Sequence, residues 1–318
     1  MSRARRPLSM ARIGGAIARR LHGPYAGLDR IEERVAVLGQ QVEQLESHLT
    51  ASLGLLHGEV RDVLRALAAE EPENRRLLQS VREGTEYERA WADDQPLISV
   101  TVATLGRPEL ISRSLPSILN QSHDELEVIV AADGVTSEIG PAVRALGDSR
   151  IRYLDLGPRQ TWTDDPVKLW LVGATRARNA ALKAARGSWI VEFDDDDAMR
   201  PECLKALIDL ARRTRGEAVY GQVRQHEGGT PQDFCAFPPR LGHFSWAAGM
   251  YHAGLRFFGR ELLAADLGLP GDWWLAERML RAGVRFAMRE EVLCDAYASE
   301  RRQAALERGR IPWSGGSR

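Results

Sequence analysis

A chain of 318 residues, 44% hydrophobic and 27% charged, has room for two or so domains and a sizeable core. Its 43 basic and 44 acidic residues leave a net charge of −1, which excludes the overall basicity of a nucleic-acid binder. Three cysteines, Cys203, Cys235 and Cys294, are too far apart for a CxxC or zinc spacing and read as free thiols of a reducing compartment, and no apolar run reaches the ~20 residues of a membrane-spanning helix.

Residues 1–27 form a basic arm. Residues 1–30 hold seven arginines and one acid, Asp29. The stretch MARIGGAIA is interrupted by Arg12 and two glycines, which argues against a secretion signal. Two readings fit: a disordered basic tail, or a peripheral contact with anionic lipid, to which each basic residue contributes about 1 kcal/mol.

Residues 28–95 read as a helical extension. Leu28, Ile31, Val35, Leu38, Val42, Leu45 and Leu49 alternate steps of three and four, the a/d seam of a coiled coil. The seam resumes as Leu53, Leu56, Val60, Val63 and Leu67 after a stutter that locally unwinds a supercoil. No aromatic residue occurs from 26 to 86, so a globular core is not expected there. A homo-oligomer through residues 28–67 is expected, the alternative being a helix packed on its own domain. EEPENRR at 70–76 predicts a break at Pro72 and a second short helix to about Trp91.

Residues 96–215 alternate strand and helix. LISVTVAT (97–104), LEVIVAADG (126–134), IRYLDLG (151–157) and SWIVEF (188–193) read as buried parallel strands. PELISRSLPSILNQ, ATRARNAALKAARG and PECLKALIDLARR have helical spacing; Gly187 is expected to stop the second and Pro201 to open the third. The expected fold class is α/β, a Rossmann-like, mainly parallel sheet flanked by helices.

In such sheets ligands bind beyond the carboxyl ends of the strands. Three of those ends carry distinctive residues: the loop ATLGRP (103–108), Asp133, and the run Asp194–Asp197. Ionised Asp133 only accepts hydrogen bonds, and so suits a base N–H such as that of uracil. Four adjacent carboxylates repel one another, and a divalent cation offsets that repulsion: Mg²⁺ is commonly held by one or two carboxylates plus substrate phosphates. The acidic run lacks the spacing and distal Glu of a calcium loop.

Residues 97–205 resemble glycosyltransferase family 2, whose fold is GT-A. Where that family reads VSVIIPTYNRPELL, this chain reads ISVTVATLGRPELI; VDDGS is matched by AADGV, and ARGEYIAFLDADD by ARGSWIVEFDDDD after an ARN helix. The resemblance implies a nucleotide-sugar site. Ala103, Thr104 and Leu105 would line the base, Asp133 would accept from it, and Arg178 would lie near the base or diphosphate. Asp195 would lie near the ribose, and Asp194 and Asp196 would be the metal pair, Asp196 foremost, for Mg²⁺ or Mn²⁺. Asp197 matches a frequent extra acid. Leu105 departs from a common tyrosine and Ala132 from the first acid of a usual pair. The segment RQTWTDDPVKLWLVG (159–173) reads either as a donor lid or as surface packing.

Residues 216–318 read as the acceptor-binding half and tail. GDWWLAERMLRAGVRF (271–286) resembles the family's EDWDLWLRLLRAGYRF, which makes Asp272 the expected base on the acceptor hydroxyl, with Glu277 in reserve; the plainer reading of Asp272 is a helix N-cap. Trp273 and Trp274 read as core, or one as a sugar platform. His226, His243 and His252 have no metal spacing and are expected at the surface or in loops. The resemblance implies a metal-dependent inverting glycosyltransferase. The expected donor is a UDP-sugar. The acceptor is open among glycan, lipid-linked glycan, protein and natural product. The expected site is the cytoplasm, peripheral at the inner face of a membrane if the basic arm binds lipid. The alternatives are a sugar nucleotidyltransferase, which would want a Gly-rich basic loop where ATLGRP stands, and a coiled-coil scaffold carrying a degenerate GT-A domain.

Overall fold

The structure is a computed structural model that describes residues 10–134, 138–160, 162–226 and 229–297. The chain divides into two units, residues 1–63 and 64–318. The first is helical from Met10, where α1 (Met10–Glu83) begins. Residues 10–27 of the basic arm fall within the bounds of α1; residues 1–9 lie outside the described residues. Along the seam, exposure runs from 48% at Leu53 to 68% at Leu45, with Leu38, Val42 and Leu49 between. The other seam side chains, Leu28, Ile31, Val35, Leu56, Val60, Val63 and Leu67, lie outside those described.

Pro72 does not break α1, which continues to Glu83. Proline in a helix interior costs about 3 kcal/mol. Here the turns beyond it, which already belong to the second unit, pack against the rest of that unit and offset the cost. Leu78 is buried, Arg82 forks onto fully buried Glu217 (Nε–Oε1 2.7 Å, Nη2–Oε2 2.8 Å), and Tyr87 OH donates to the same carboxylate. The break falls at Gly84, after which α2 (Thr85–Ala92) sets Trp91 edge-on to Trp189, 5.4 Å between ring centres.

The second unit continues with β1 (Ile98–Thr104), a π-turn (Leu110–Ser114) running into α3 (Leu115–Leu119), β2 (Leu126–Ala132), α4 (Ile139–Ala145), β3 (Ile151–Asp155), α5 (Pro166–Val172), α6 (Thr175–Ala184) and β4 (Trp189–Asp194). There follow β5 (Ala198–Met199), α7 (Cys203–Thr214), β6 (Ala218–His226), β7 (Gln232–Asp233), β8 (Gly249–His252), α8 (Leu263–Asp266), α9 (Gly271–Ala282) and β9 (Phe286–Tyr297). The described strands form one sheet in the order β3-β2-β1-β4-β8-β6-β9-β5, with β7 beside β6. The first four are the expected parallel strands; β1, β2 and β4 are apolar and buried, as Ile98, Val100 and Val102 of β1 show, whereas β3, at the edge of the sheet, is only half-buried, not buried as expected.

Strand order reverses between β1 and β4, where Ala103 stands in register with Asp194. A crevice is expected at that switch point. Two helix-end expectations need correction. Gly187 is not the cap of α6, which ends at Ala184 with extended Ala185 after it. Gly187 is small because a Cβ there would stand 2.5 Å from Leu97 O and 2.7 Å from Ser99 N, so the chain can enter β4 only by passing close against β1. Pro201 lies in the turn ahead of α7, which starts at Cys203.

Candidate active site

The carboxyl end of β4 delivers Asp194 and then turns. The main chain of that turn is held from one side: Ser114 Oγ donates to Asp194 O (3.1 Å) and Asp197 O (2.9 Å), and Arg113 Nη1 to Asp196 O (2.7 Å). With the backbone fixed, the four side chains alternate. Asp194 is the open one, 46% exposed, and Asp196 is next at 16%. Asp195 and Asp197 turn inward. Asp195 accepts from Thr104 Oγ1 (2.6 Å), and Asp197 from Tyr297 N (3.0 Å). The two residues expected to hold metal are thus the less buried of the four, Asp194 clearly and Asp196 slightly, and Thr104 supports Asp195.

Arginines balance the run. Arg107 Nη1 lies between Asp195 Oδ1 (3.0 Å) and Asp196 Oδ2, while Arg178 Nη2 donates to Asp194. This compensation is partial. Burial first, and then repulsion from Asp194, push the Asp196 carboxyl up to about 7 against the pull of Arg107. Burial also raises Asp195, and raises Asp197 well above the usual range with Asp194 adding repulsion.

Among the described residues no three His, Cys, Asp or Glu side chains converge as a ready metal cage. A nucleotide-bound cation does not need one, because phosphate oxygens complete its shell. Two carboxylates of hard oxygen donors, one of them poorly neutralised, fit such an ion; Asp194 and Asp196 are the residues that would hold it.

The neighbouring strand ends bring Leu105 and Gly134 together. Leu105 Cδ2 lies 3.9 Å from where a Cβ on Gly134 would stand, and Gly134 itself has φ +146°. Ala103 and Leu105 are partly exposed. Asp133 is buried, and its Oδ1 accepts from Arg176 Nη1 at 2.6 Å. Arg176 is anchored in turn on Leu156 O (2.6 Å).

Asp272 sits in the first turn of α9 but is not its N-cap, which is Pro270. Its Oδ1 accepts from the adjacent Trp273 N at 2.9 Å. Burial raises its pKa; Arg260 and Arg178 oppose the rise and Asp194 adds to it, so the carboxyl belongs to the same electrostatic field as the aspartate run. Glu277 is tied to Arg281 on its own helix (2.8 Å).

Glu192, Arg260 and Asn179 connect these parts, and none was singled out from the sequence. Glu192 is buried in β4; Arg260 Nη2 pairs with its Oε2 at 2.8 Å, and Tyr251 OH donates to its Oε1 at 2.8 Å. Burial disfavours the Glu192 charge, but Arg260 and Arg178 more than offset it and hold its carboxyl below the usual range. An acid inside the apolar run WIVEF was the available signal, as Asn179 was within ARN.

Other expectations resolve plainly. Trp274 is core, with its Nε1 on Glu261 (2.9 Å), and Trp273 is half-buried beside Phe244. His252 is not a surface residue: it is buried, stacked on Trp91, and held neutral by burial with a pKa lowered to about 4. His226 pairs with Asp295 (2.8 Å). In the segment 159–173, α5 turns Leu171 and Val172 inward and Lys168 reaches Asp266 of α8 (2.6 Å). Cys203, Cys235 and Cys294 are buried and free. No helix among the described residues is long and apolar enough to cross a membrane.

Comparison with known proteins bears on the family and the fold. One similar relative is "Succinoglycan biosynthesis protein ExoO" of Rhizobium meliloti (strain 1021), 32% identical over 119 residues, which are 37% of this chain and 31% of that protein. Another is "UDP-Glc:alpha-D-GlcNAc-diphosphoundecaprenol beta-1,3-glucosyltransferase WfgD" of Escherichia coli, 30% identical over 128 residues, 40% of this chain and 46% of that protein. The matches thus span less than half the length of these relatives. Among solved structures, "S. aureus TarS 1-349 in complex with UDP-GlcNAc" superposes with a TM-score of 0.51 at 19% identity, over 64% of this chain and 59% of that one, and so shares the fold. Residues 170–259, which include Arg178, Glu192 and the aspartate run, match the family described as "Glycosyl transferase family 2", and they do so within a GT-A-like mixed α/β sheet.

Proposed function

We propose that this chain is a metal-dependent, inverting glycosyltransferase that moves a sugar from a nucleotide-sugar to an acceptor hydroxyl or other nucleophile. The observation that carries the reading is that Arg178 faces both Asp194 of the aspartate run and Asp272, with Asp196 beside Asp194. Leu105 and Gly134 flank the base, and Asp133 accepts from it. When bound, Mg²⁺ or Mn²⁺ at Asp194 and Asp196 supplies Lewis-acid stabilisation of the departing diphosphate. Asp272 takes the acceptor proton on Oδ2, since Oδ1 is engaged by Trp273 N. Arg178 keeps the donor-side and acceptor-side carboxylates from repelling one another apart. A single base on the acceptor side supports inversion.

A UDP-sugar is the favoured donor, because Asp133 suits a uracil N–H and because the name of the WfgD relative specifies UDP-Glc. That same name specifies a diphosphoundecaprenol-linked acceptor. A lipid-linked glycan here would fit a catalytic unit held at the inner face of a membrane by the arginines of residues 1–27. The exposed seam from Leu38 to Leu53 supports self-association.

The test is incubation with a panel of nucleotide sugars and Mn²⁺, read by thermal shift and by slow donor hydrolysis. Free UDP as the product supports the reading. Pyrophosphate would replace it with nucleotidyl transfer, and no shift with any donor would overturn it.

A further inference from the structure

The position of Arg107 has a consequence beyond the proposed transfer reaction, on which the following rests. One nitrogen of its guanidinium, Nη1, is shared by Asp195 and Asp196. The two contacts are unequal. Asp195 is 8% exposed and already fixed by Thr104 Oγ1. That hydroxyl also accepts from Gly106 N (3.0 Å), and Gly106 turns with φ +96°. The loop that carries Arg107 is therefore pinned to Asp195 from its own side. Asp196 is somewhat less buried than Asp195, and its backbone, not its carboxylate, is held by Arg113, so its carboxylate is the part left free to change partners.

A guanidinium and a divalent cation cannot share one carboxylate without strong like-charge repulsion. The Arg107 guanidinium pairs with the same Asp196 carboxylate to which a cation would bind. A nucleotide diphosphate changes the balance. It brings two or more negative charges, which accommodate both the cation and the guanidinium, and planar guanidinium forks suit phosphate oxygens.

We propose that Arg107 is the built-in counter-cation of the aspartate run, that it blocks divalent metal at Asp196 until a nucleotide diphosphate arrives, and that it then keeps Asp195 while turning from Asp196 to the diphosphate. Arg107 thereby makes metal binding contingent on nucleotide and fixes the order of assembly.

The test is Mn²⁺ binding by electron paramagnetic resonance, with and without UDP or GDP, on the full chain and on Arg107→Gln and Arg107→Lys. Wild type is expected to bind Mn²⁺ at least tenfold more tightly with nucleotide than without. Arg107→Gln is expected to bind Mn²⁺ alone at least tenfold more tightly than wild type and to lose most of the gain from nucleotide. Arg107→Lys, which keeps the charge, is expected to retain the dependence. Thermal melting checks that both variants fold; if Arg107→Gln does not, loss of nucleotide dependence in Arg107→Lys overturns the proposal. If folded Arg107→Gln binds Mn²⁺ alone no better than wild type while nucleotide still helps, the proposal is wrong and the transferase reading stands. If wild type binds neither nucleotide in the presence of Mn²⁺, both fall together.

Discussion

Asn179 and Arg260 hold each other through two reciprocal hydrogen bonds: Asn179 Nδ2 donates to Arg260 O, and Arg260 N donates to Asn179 Oδ1, both at 2.8 Å. The neighbour of Asn179 on α6, Arg178, is bonded to Asp194. The guanidinium of Arg260 pairs with Glu192 and lies 3.3 Å from where a Cβ on Gly271 would stand, beside Asp272. One short stretch of α6 thus fixes both Asp194 and the cation that faces Asp272. Asn179→Ala is expected to cost about 1–3 kcal/mol of stability, two hydrogen bonds' worth. It should also lower kcat more than it raises the donor KM, which steady-state kinetics beside urea melts will separate.

The base assignment makes a sharper demand. Asp272→Asn keeps the shape and the bond from Trp273 N but removes the proton acceptor. Transfer is expected to fall by about 10²–10⁴, the range for general-base catalysis, with donor binding intact. Because burial raises the Asp272 pKa, the group protonates at a higher pH than an ordinary aspartate. The acid limb of the kcat profile should accordingly fall off above the usual carboxylate range, and Asp272→Asn should flatten it.

Much of this arrangement was legible in the residues. Apolar β-branched runs ending in Thr104, Asp133 and Asp194 announce strands whose carboxyl ends carry polar groups, and topology then brings those ends together. The partners of the acids were not legible. Arg107, Arg176 and Arg260 are among many arginines, and only packing tells which one meets a carboxylate. Pro72 misled because local propensity was weighed without the docking of Arg82 on Glu217 that follows it. Gly187 misled because a glycine near a helix end was read as a cap, when the nearby Leu97 carbonyl is what demands it.

Glu217 is the anchor of that docking. Its side chain is fully buried and accepts from Arg82, Tyr87 and Arg285 N. Arg82 Nη2 also reaches Gly283 O (2.8 Å) and Arg75 Nη2 reaches Arg281 O (3.2 Å), so the same helix caps the C-terminal end of α9, whose first turn holds Asp272. Removing one side of a buried charge network costs about 3–5 kcal/mol. Glu217→Gln is expected to lower thermal stability by that order and to open the chain near Gly84 to limited proteolysis. Below its new melting range the pH profile of transfer should be unchanged.

The seam predicts stoichiometry. Val35 and Val42 fall at a positions and Leu38 and Leu45 at d, the pattern that favours two parallel strands. Between Leu38 and Leu49 the intervening residues are polar or small, so the apolar stripe is as narrow as a coiled-coil seam and too narrow for packing on a globular face. The full chain is expected to run as a dimer in light scattering. Replacing Val42 and Leu45 together with Asp should give a monomer whose catalytic unit melts as before; a wild-type monomer would sink the reading.

Asp196 gives a test of the aspartate run that needs no substrate. Its carboxyl is near the ordinary aspartate value, about 3.9, in the unfolded chain and is raised to about 7 in the folded one. Between those values the folded state binds the extra proton. Stability should therefore fall as pH rises through that window, by at most about 1.4 kcal/mol per pH unit from this group. Other groups titrate too: Glu192 and Glu217, held below their usual range, contribute the opposite slope at lower pH. The difference between wild type and Asp196→Asn isolates the run, since Asn mimics the protonated acid. The variant is expected to match wild type near pH 4 and to be progressively more stable than it toward pH 7. Adding Mn²⁺ with UDP should close the gap by stabilising wild type alone. A gap that is constant with pH would mean that Arg107 already neutralises Asp196.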